Sequence, residues 1–265
     1  MNGEQANREV DDDRMPVLSG EVELVARIPA ASNETFLASI GDVPVVYKPR
    51  EGEKPLWDFP NGDLADREFA AYLVSECLGW NLVPPTWIGD GPLGEGMLQL
   101  WQQVDTAQSA VDVVPSAGVP RGWRRVFDGA DEDGGPIALV HEDSPALRRM
   151  AVFDAIVNNA DRKGGHVLAM PDGHRFGVDH GLTFHAEPKL RTVLWGWVRE
   201  PLTAEETDGI ARVLASLRHE LGRELATLLS VAELEAFADR CHRMLDTGRF
   251  PAPSGSMPAT PWPLF

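Results

Sequence analysis

The stretch Asn158-Asn159-Ala160-Asp161-Arg162-Lys163-Gly164-Gly165-His166, followed by Gly177-Val178-Asp179-His180-Gly181, gathers the residue types that metal-assisted group transfer needs. One carboxylate, Asp161, stands on a tight polar loop. A second, Asp179, stands on a strand-turn downstream, and the His166 imidazole lies between them. Moving a phosphoryl group asks little covalent chemistry of a protein, so catalysis reduces to holding a hydroxyl, a nucleotide and one or two divalent cations in line. In that chemistry Asp161 would orient or deprotonate the acceptor, and Asp179 would hold the cation that bridges the phosphates. His166 is a candidate ligand for a second cation. An imidazole nitrogen is softer than oxygen and suits Mn²⁺ or Zn²⁺ better than Mg²⁺. Turn propensity alone explains each fragment singly, because Asp and Gly dominate turns; their order and the segments around them carry the chemical reading.

Those groups need elements to position them. Val45-Val46-Tyr47-Lys48 reads as a strand ending in a lysine, with Val46 and Lys48 on one face. Asn61-Gly62-Asp63 opens a helix from Leu64 to Leu78, with apolar positions at Leu64, Phe69, Tyr72, Leu73 and Cys77 and with Gly79 past its end. Glu68 lies one turn from Leu64 and Tyr72, so it could face inward and pair with Lys48. Candidate strands over 21–28 and 36–40 flank Ala30-Ala31-Ser32-Asn33-Glu34-Thr35. There Ser32, Asn33 and Thr35 could offer N–H groups and hydroxyls to phosphates in place of a glycine-rich loop. Gly96 to Val104 reads as a strand running into a polar connection, where the backbone at Gln99 and Leu100 could meet an adenine and Trp101 could wall it. Ser144 as N-cap and Pro145 at the first helical position start a further helix. Its apolar stripe Leu147, Met150 and Val157 shares a face with Asp154, a carboxylate expected to brace the loop 158–165. Asn158 and Asn159 are candidate bracing residues of the same loop.

The set Lys48, Glu68, Asp161 and Asp179 in that order, with Asn-Ala-Asp-Arg opening the loop and Val-Asp-His-Gly-Leu-Thr-Phe after it, resembles the atypical kinases of the phosphatidylinositol 3-/4-kinase and HipA-like superfamily. It is most similar to a small actinobacterial-type branch, over about 24–184. The resemblance implies an α+β, two-lobed protein-kinase-like fold, with a small antiparallel β-rich N lobe and a mainly helical C lobe. It also implies ATP and Mg²⁺ or Mn²⁺ as cofactors. Lys48 would contact the α- and β-phosphates with Glu68 orienting it, Asp161 would be the catalytic aspartate, and Asp179 would chelate metal. His166 falls where the family pattern has Asn. The activity implied is γ-phosphoryl transfer to a hydroxyl of a small molecule or protein. Two further readings share these residues: transfer of AMP, and a pseudokinase acting as a nucleotide-binding interaction module.

Composition bounds the rest. At 265 residues the chain suits one two-lobed domain, divided as an acidic disordered 1–15, an ATP-binding lobe over 16–99, a catalytic lobe over 100–250 and a Pro-rich tail over 251–265. A net charge of -17 argues against nucleic-acid partners and stable membrane association, which need local cation excess. The two cysteines, Cys77 and Cys241, read as core thiols of a reduced compartment, and without a leader or spanning segment the expected location is cytoplasmic. Residues 105–143 are expected to hold one short helix and a long loop. Towards the C-terminus the periodicity predicts a pair of helices, 204–229 and 231–247. Trp195 and Trp197 are packing residues or the wall of an acceptor groove, and the tail either docks back or engages a partner.

Overall fold

The β-branched and aromatic run around Lys48 forms the third strand of an antiparallel sheet. Val22–Arg27 (β1), Phe36–Ile40 (β2) and Val43–Pro49 (β3) follow one another as a meander, and Thr86–Gly91 (β4) and Gly94–Leu100 (β5) form a hairpin. The spatial order β1-β2-β3-β5-β4 sets β5 against β3 with Met97 opposite Lys48. Period-2 alternation sends Val45 and Tyr47 into a small core with Val22, Ala38, Ile40 and Leu98, while Val46 and Lys48 lie half-buried on the opposite face. This computed structural model describes residues 18–29, 33–54, 56, 59, 64–253 and 258–265. The expected disordered N-terminus and the Asn61-Gly62-Asp63 helix start lie outside those residues.

Between β3 and β4 runs the helix Leu64–Leu78 (α1). Its first N–H groups, on Leu64 and Ala65, are accepted by the Glu53 carboxylate at 2.9 Å each. A helix N-terminus leaves such donors without intrahelical partners, and a carboxylate there also opposes the helix dipole. The expected apolar stripe is not what α1 buries most deeply. Leu64, Phe69, Leu73 and Cys77 are half-buried, whereas Ala65, Ala70, Ala71, Tyr72, Val74 and Glu68 are buried. Small side chains let α1 lie close to the sheet on one side and to the C-lobe helices on the other, so its burial runs nearly all round.

The C lobe begins with a finding that the sequence reading did not anticipate. In place of a short helix and a long loop, residues 105–143 form an antiparallel sheet of Val111–Pro115 (β6), Trp123–Ala130 (β7) and Pro136–Glu142 (β8), in the order β6-β8-β7. Pro120, Gly122, Gly134 and Gly135 fall in the connections between these strands, and Gly122 and Gly134 adopt left-handed φ there. Next come Pro145–Val157 (α2), capped by the Ser144 hydroxyl, and the hairpin Val167–Ala169 (β9) and Arg175–Gly177 (β10). The single helix expected over 204–229 is two, Ala204–Ser216 (α3) and Glu220–Leu228 (α4), followed by Val231–Thr247 (α5). Gly222 marks the reason: a Cβ there would meet the Leu217 carbonyl at 1.8 Å, so only glycine lets the chain fold back this tightly.

The result is a two-lobed α+β fold, with a small antiparallel β-rich lobe and a larger, mainly helical one. Phe153, Ile156, Phe184, Trp197, Phe237 and Leu225 centre the larger, mainly helical lobe. Among the described residues no helix is long and apolar enough to cross a membrane.

Two imidazoles are locked inside this lobe. His141 Nδ1 donates to the Glu142 carbonyl at 2.8 Å and its Nε2 accepts the Gly196 N–H at 3.0 Å, and burial pulls its pKa down to about 4. Burial, with Arg162 beside it, likewise holds His180 well below the usual value. Below an unfolded-state pKa of about 6.5 the unfolded chain takes up protons that these rings refuse, so stability is complete above that pH and falls towards pH 4, by on the order of 3 kcal/mol for His141 alone. Urea midpoints should therefore drop between about pH 7 and about pH 4.5, less steeply in His141→Gln. A flat profile would refute this.

Candidate active site

The loop that carries Asp161 is fixed from beneath. Helix α2 ends at Asn158 in left-handed backbone (φ 57°, ψ 49°). The Asn158 side chain donates to the carbonyls of His185 and Glu187 and accepts from the Lys189 N–H, which ties the loop to the segment beyond Asp179. Asn159 donates to Asp154 at 3.0 Å and accepts the Asp161 N–H at 2.9 Å. Asp154 and Arg162 have no exposed surface at all and form a two-pronged pair, Nε to Oδ2 and Nη2 to Oδ1, each 2.9 Å. Arg162 also donates to the carbonyls of His166 and Val178 and to His180 Nε2, so one guanidinium holds both acidic segments. Asp154 does brace the loop, through side chains rather than the backbone.

On that frame the predicted charged residues meet at the junction of the lobes. Lys48 Nζ lies 2.5 Å from Glu68 Oε1 and 2.8 Å from Asp179 Oδ1. Glu68 Oε2 accepts the His180 N–H at 2.9 Å, so the buried glutamate links β3, α1 and the Asp179 turn. Burial works against the Lys48 ammonium, but Asp179 and Glu68 outweigh it and hold its pKa above the ordinary value. Lys48 in turn keeps Asp179 ionised, far below the usual carboxylate range. Burial, assisted by the Asp179 charge and opposed by Lys48, raises Glu68. Asp179 sits at φ 61°, a left-handed conformation that Asp tolerates better than most residues.

His166 adds a directional feature. Its Nδ1 lies 3.0 Å from the Asp161 carbonyl, which can only accept, so Nδ1 carries the hydrogen. Burial lowers the ring's pKa, which favours the neutral form, and Nε2 then presents a lone pair 3.3 Å from Asp179 Oδ2. Two electron-rich atoms at that separation fit adjacent corners of a divalent cation's coordination shell, since bonds of ~2.1 Å at right angles place ligands ~3 Å apart. No group of three or more His, Cys, Asp and Glu side chains among the described residues is arranged to hold a metal. Further ligands would come from phosphate oxygens and water, the usual situation for Mg²⁺ and Mn²⁺ beside a nucleotide. His180 and His185 do not join this pair: Arg162 occupies His180 Nε2, and His185 Nδ1 accepts the Glu187 N–H.

No protein-family model matches the chain. Over 268 residues it is 46% identical to Protein Rv2133c of Mycobacterium tuberculosis, an alignment that covers 96% of this chain and 96% of that one. The chain belongs to the family of that protein. Among solved structures, the proinflammatory kinase CtkA of Helicobacter pylori is similar at a TM-score of 0.47 and 13% identity, over 86% of this chain and 95% of that chain.

Within this member of the Rv2133c family the other candidate ligand contacts are less collected. Ser32 lies outside the described residues. Asn33 Oδ1 accepts the Lys54 N–H at 3.1 Å, and the buried Thr35 hydroxyl turns back to the Asn33 carbonyl at 3.4 Å. Gln99 is buried and donates to Thr86 Oγ1 at 2.9 Å. The Leu100 N–H is taken by the Pro85 carbonyl and the Trp101 N–H by the Pro44 carbonyl, so neither is free to meet an adenine, and the Trp101 side chain is 41% exposed. Hydrogen-bonded strand pairing is what consumes these donors.

One contributor, Lys163, was not expected from the sequence: its Nζ lies 3.1 Å from Asp161 Oδ2, and the signal for it was the i, i+2 spacing, which puts both side chains on one side of an extended loop. The tail, for which docking back was one of two expectations, also reaches this loop. The Leu264 carbonyl accepts the Gly164 N–H at 2.8 Å, and the Phe265 ring occupies the space where a Gly164 Cβ would lie, 2.3 Å from the nearest ring carbon. The Ala259 carbonyl accepts the Thr192 N–H and the Trp195 indole N–H. The described part of the Pro-rich tail thus docks back on the loop 158–166; Trp197 is buried in the core, and the half-buried Trp195 is tied to the tail.

Proposed function

We propose that the chain is an ATP-dependent phosphotransferase that moves the γ-phosphoryl group to a hydroxyl of a small molecule or protein. The observation that carries this reading is the contact of Lys48 with both Glu68 and Asp179 and of His166 with Asp179, from segments far apart in sequence, with the Asp161 backbone carbonyl tied to His166. Lys48 would leave Asp179 for the α- and β-phosphates while Glu68 keeps it oriented. Asp179 and His166 would hold a divalent cation, which when bound neutralises charge on the phosphates. Asp161 would accept the acceptor's proton, and Lys163 beside it would meet charge on the transferring group. The adenine edge would be read at 102–104, because the N–H groups of Leu100 and Trp101 are spent within the protein.

Calorimetric ATP titration with Mg²⁺ and then Mn²⁺ tests the nucleotide site without knowledge of the acceptor. Cation-dependent binding is expected in the intact protein. In Asp179→Ala it should weaken at least about tenfold, the equivalent of ~1.4 kcal/mol for one lost ligand. A preference for Mn²⁺ that disappears in His166→Asn would assign the nitrogen ligand. Absence of binding with either cation would remove the proposal.

A further inference from the structure

The C lobe contains a concavity whose lining includes none of Lys48, Glu68, Asp161, His166 or Asp179. It encloses about 440 Å³ between the end of α2, helix α5 and the chain on either side of Arg249. That volume lies within the range of small-molecule sites. Its lining is unusual for an acidic protein: Arg199, Arg240, Arg243 and Arg249 all contribute. None of the four has a carboxylate within ion-pairing distance among the described residues, whereas Arg50, Arg67, Arg124, Arg148, Arg162 and Arg175 all do. Between the arginines the walls are apolar, with Leu190, Trp195, Met244 and Phe250.

Arg240 supplies the independent evidence. Arg240 is more than nine-tenths buried. Nε donates to the Ile156 carbonyl at 2.8 Å and Nη1 to the His185 carbonyl at 3.2 Å, which fixes the guanidinium plane, but Nη2 is buried with no hydrogen-bond partner among the described residues. A buried cation with an unmet donor is expensive for a fold, and native proteins rarely carry one without a ligand or water to meet it. Burial pulls the Arg240 pKa down to about 10, with the neighbouring Arg243 charge acting in the same direction. Arg199, Arg243 and Arg249 are exposed around it, so an anion can reach the rim through water.

We propose that this cavity binds a small organic anion, an oxyanion group carried on an aromatic or aliphatic body. The guanidinium groups would take the oxyanion, as planar donors suited to carboxylate and phosphate, and Trp195, Met244 and Phe250 would take the body. This site is separate from the proposed nucleotide site and stands whether or not that reading survives.

The test uses the fluorescent probe 8-anilinonaphthalene-1-sulfonate with the full chain. Saturable enhancement is expected, with affinity weakened at least about tenfold in Arg243→Glu, an exposed position whose replacement should leave the melting temperature unchanged. Phenyl phosphate or phenylacetate should displace the probe and benzyl alcohol should not; the stronger competitor identifies the head group as phosphate or carboxylate. Arg240→Met should abolish binding, and if that variant fails to fold, Arg243→Glu decides the matter. No saturable enhancement in the intact protein, equal affinity in Arg243→Glu, or displacement by benzyl alcohol as effective as by the anions would each overturn the proposal.

Discussion

Asp154→Ala is expected to lower the stability of the protein by about 3–5 kcal/mol, the cost of leaving one partner of a buried ion pair uncompensated. The residue touches no proposed ligand, yet neither Asp154 nor Arg162 has any exposed surface. Removing the carboxylate strands a guanidinium that is otherwise satisfied only by two carbonyls and the His180 ring, and it frees the Asn159 amide as well. For a chain of this size the melting temperature should fall by roughly 10 °C, at ~2–4 °C per kcal/mol. The double variant Asp154→Leu/Arg162→Met should recover part of that loss, because an apolar pair of similar volume leaves no buried charge. A loss below about 1 kcal/mol would mean that the pair is not the keystone of the loop.

The second large effect concerns activity. Asp161→Asn is expected to reduce phosphoryl transfer by about 10²–10⁴-fold, the usual contribution of a positioned base, while ATP affinity and melting temperature stay close to those of the parent. The substitution keeps the shape of the side chain, and the loop backbone remains fixed through Asn159 and His166. Release of label from γ-labelled ATP, with water or the protein itself as acceptor, measures the loss before the physiological acceptor is known. Undiminished release in the variant would exclude Asp161 as the base, and transfer from α-labelled ATP to protein would reveal AMP transfer instead. A loss of ATP binding in parallel would point to a structural role for Asp161 and away from proton transfer.

The features of the site that were readable in the sequence are those whose geometry is local. Asp161 and His166 share one loop, so their spacing already limits how far apart they lie. Helix α1 placed Glu68 one turn from Tyr72, and strand alternation placed Lys48 beside Val46. Ser144 and Pro145 announced the start of α2 because capping is satisfied within a single turn. Asp154 could be flagged because a carboxylate on an apolar helix face must find donors. Its partner could not be named, since any polar group of the loop would have met the same need.

Where the reading failed, the deciding contacts were made across the chain. The turn residues of 105–143 look alike in a loop and in a hairpin, and only pairing with β8 makes β6 and β7 strands. The amphipathic pattern over 204–229 continues through the break, which the approach of Gly222 to the Leu217 carbonyl imposes. Leu100 and Trp101 looked like free hinge donors until Pro85 and Pro44 came within reach of their N–H groups.

The sequence by itself determined the strand that carries Lys48, the helices α1, α2 and α5, the capping of α2 and the inventory of acidic and basic groups near the loop, because these depend on neighbours within a few residues. Tertiary structure alone decided that Lys48 touches both Glu68 and Asp179, that His166 directs Nε2 at a carboxylate, and that four arginines from 199 to 249 surround one cavity with no acid among them. The physical reason is that a charge's partner, its burial and its unmet donors are properties of the folded surroundings, and segments far apart in the chain supply those surroundings.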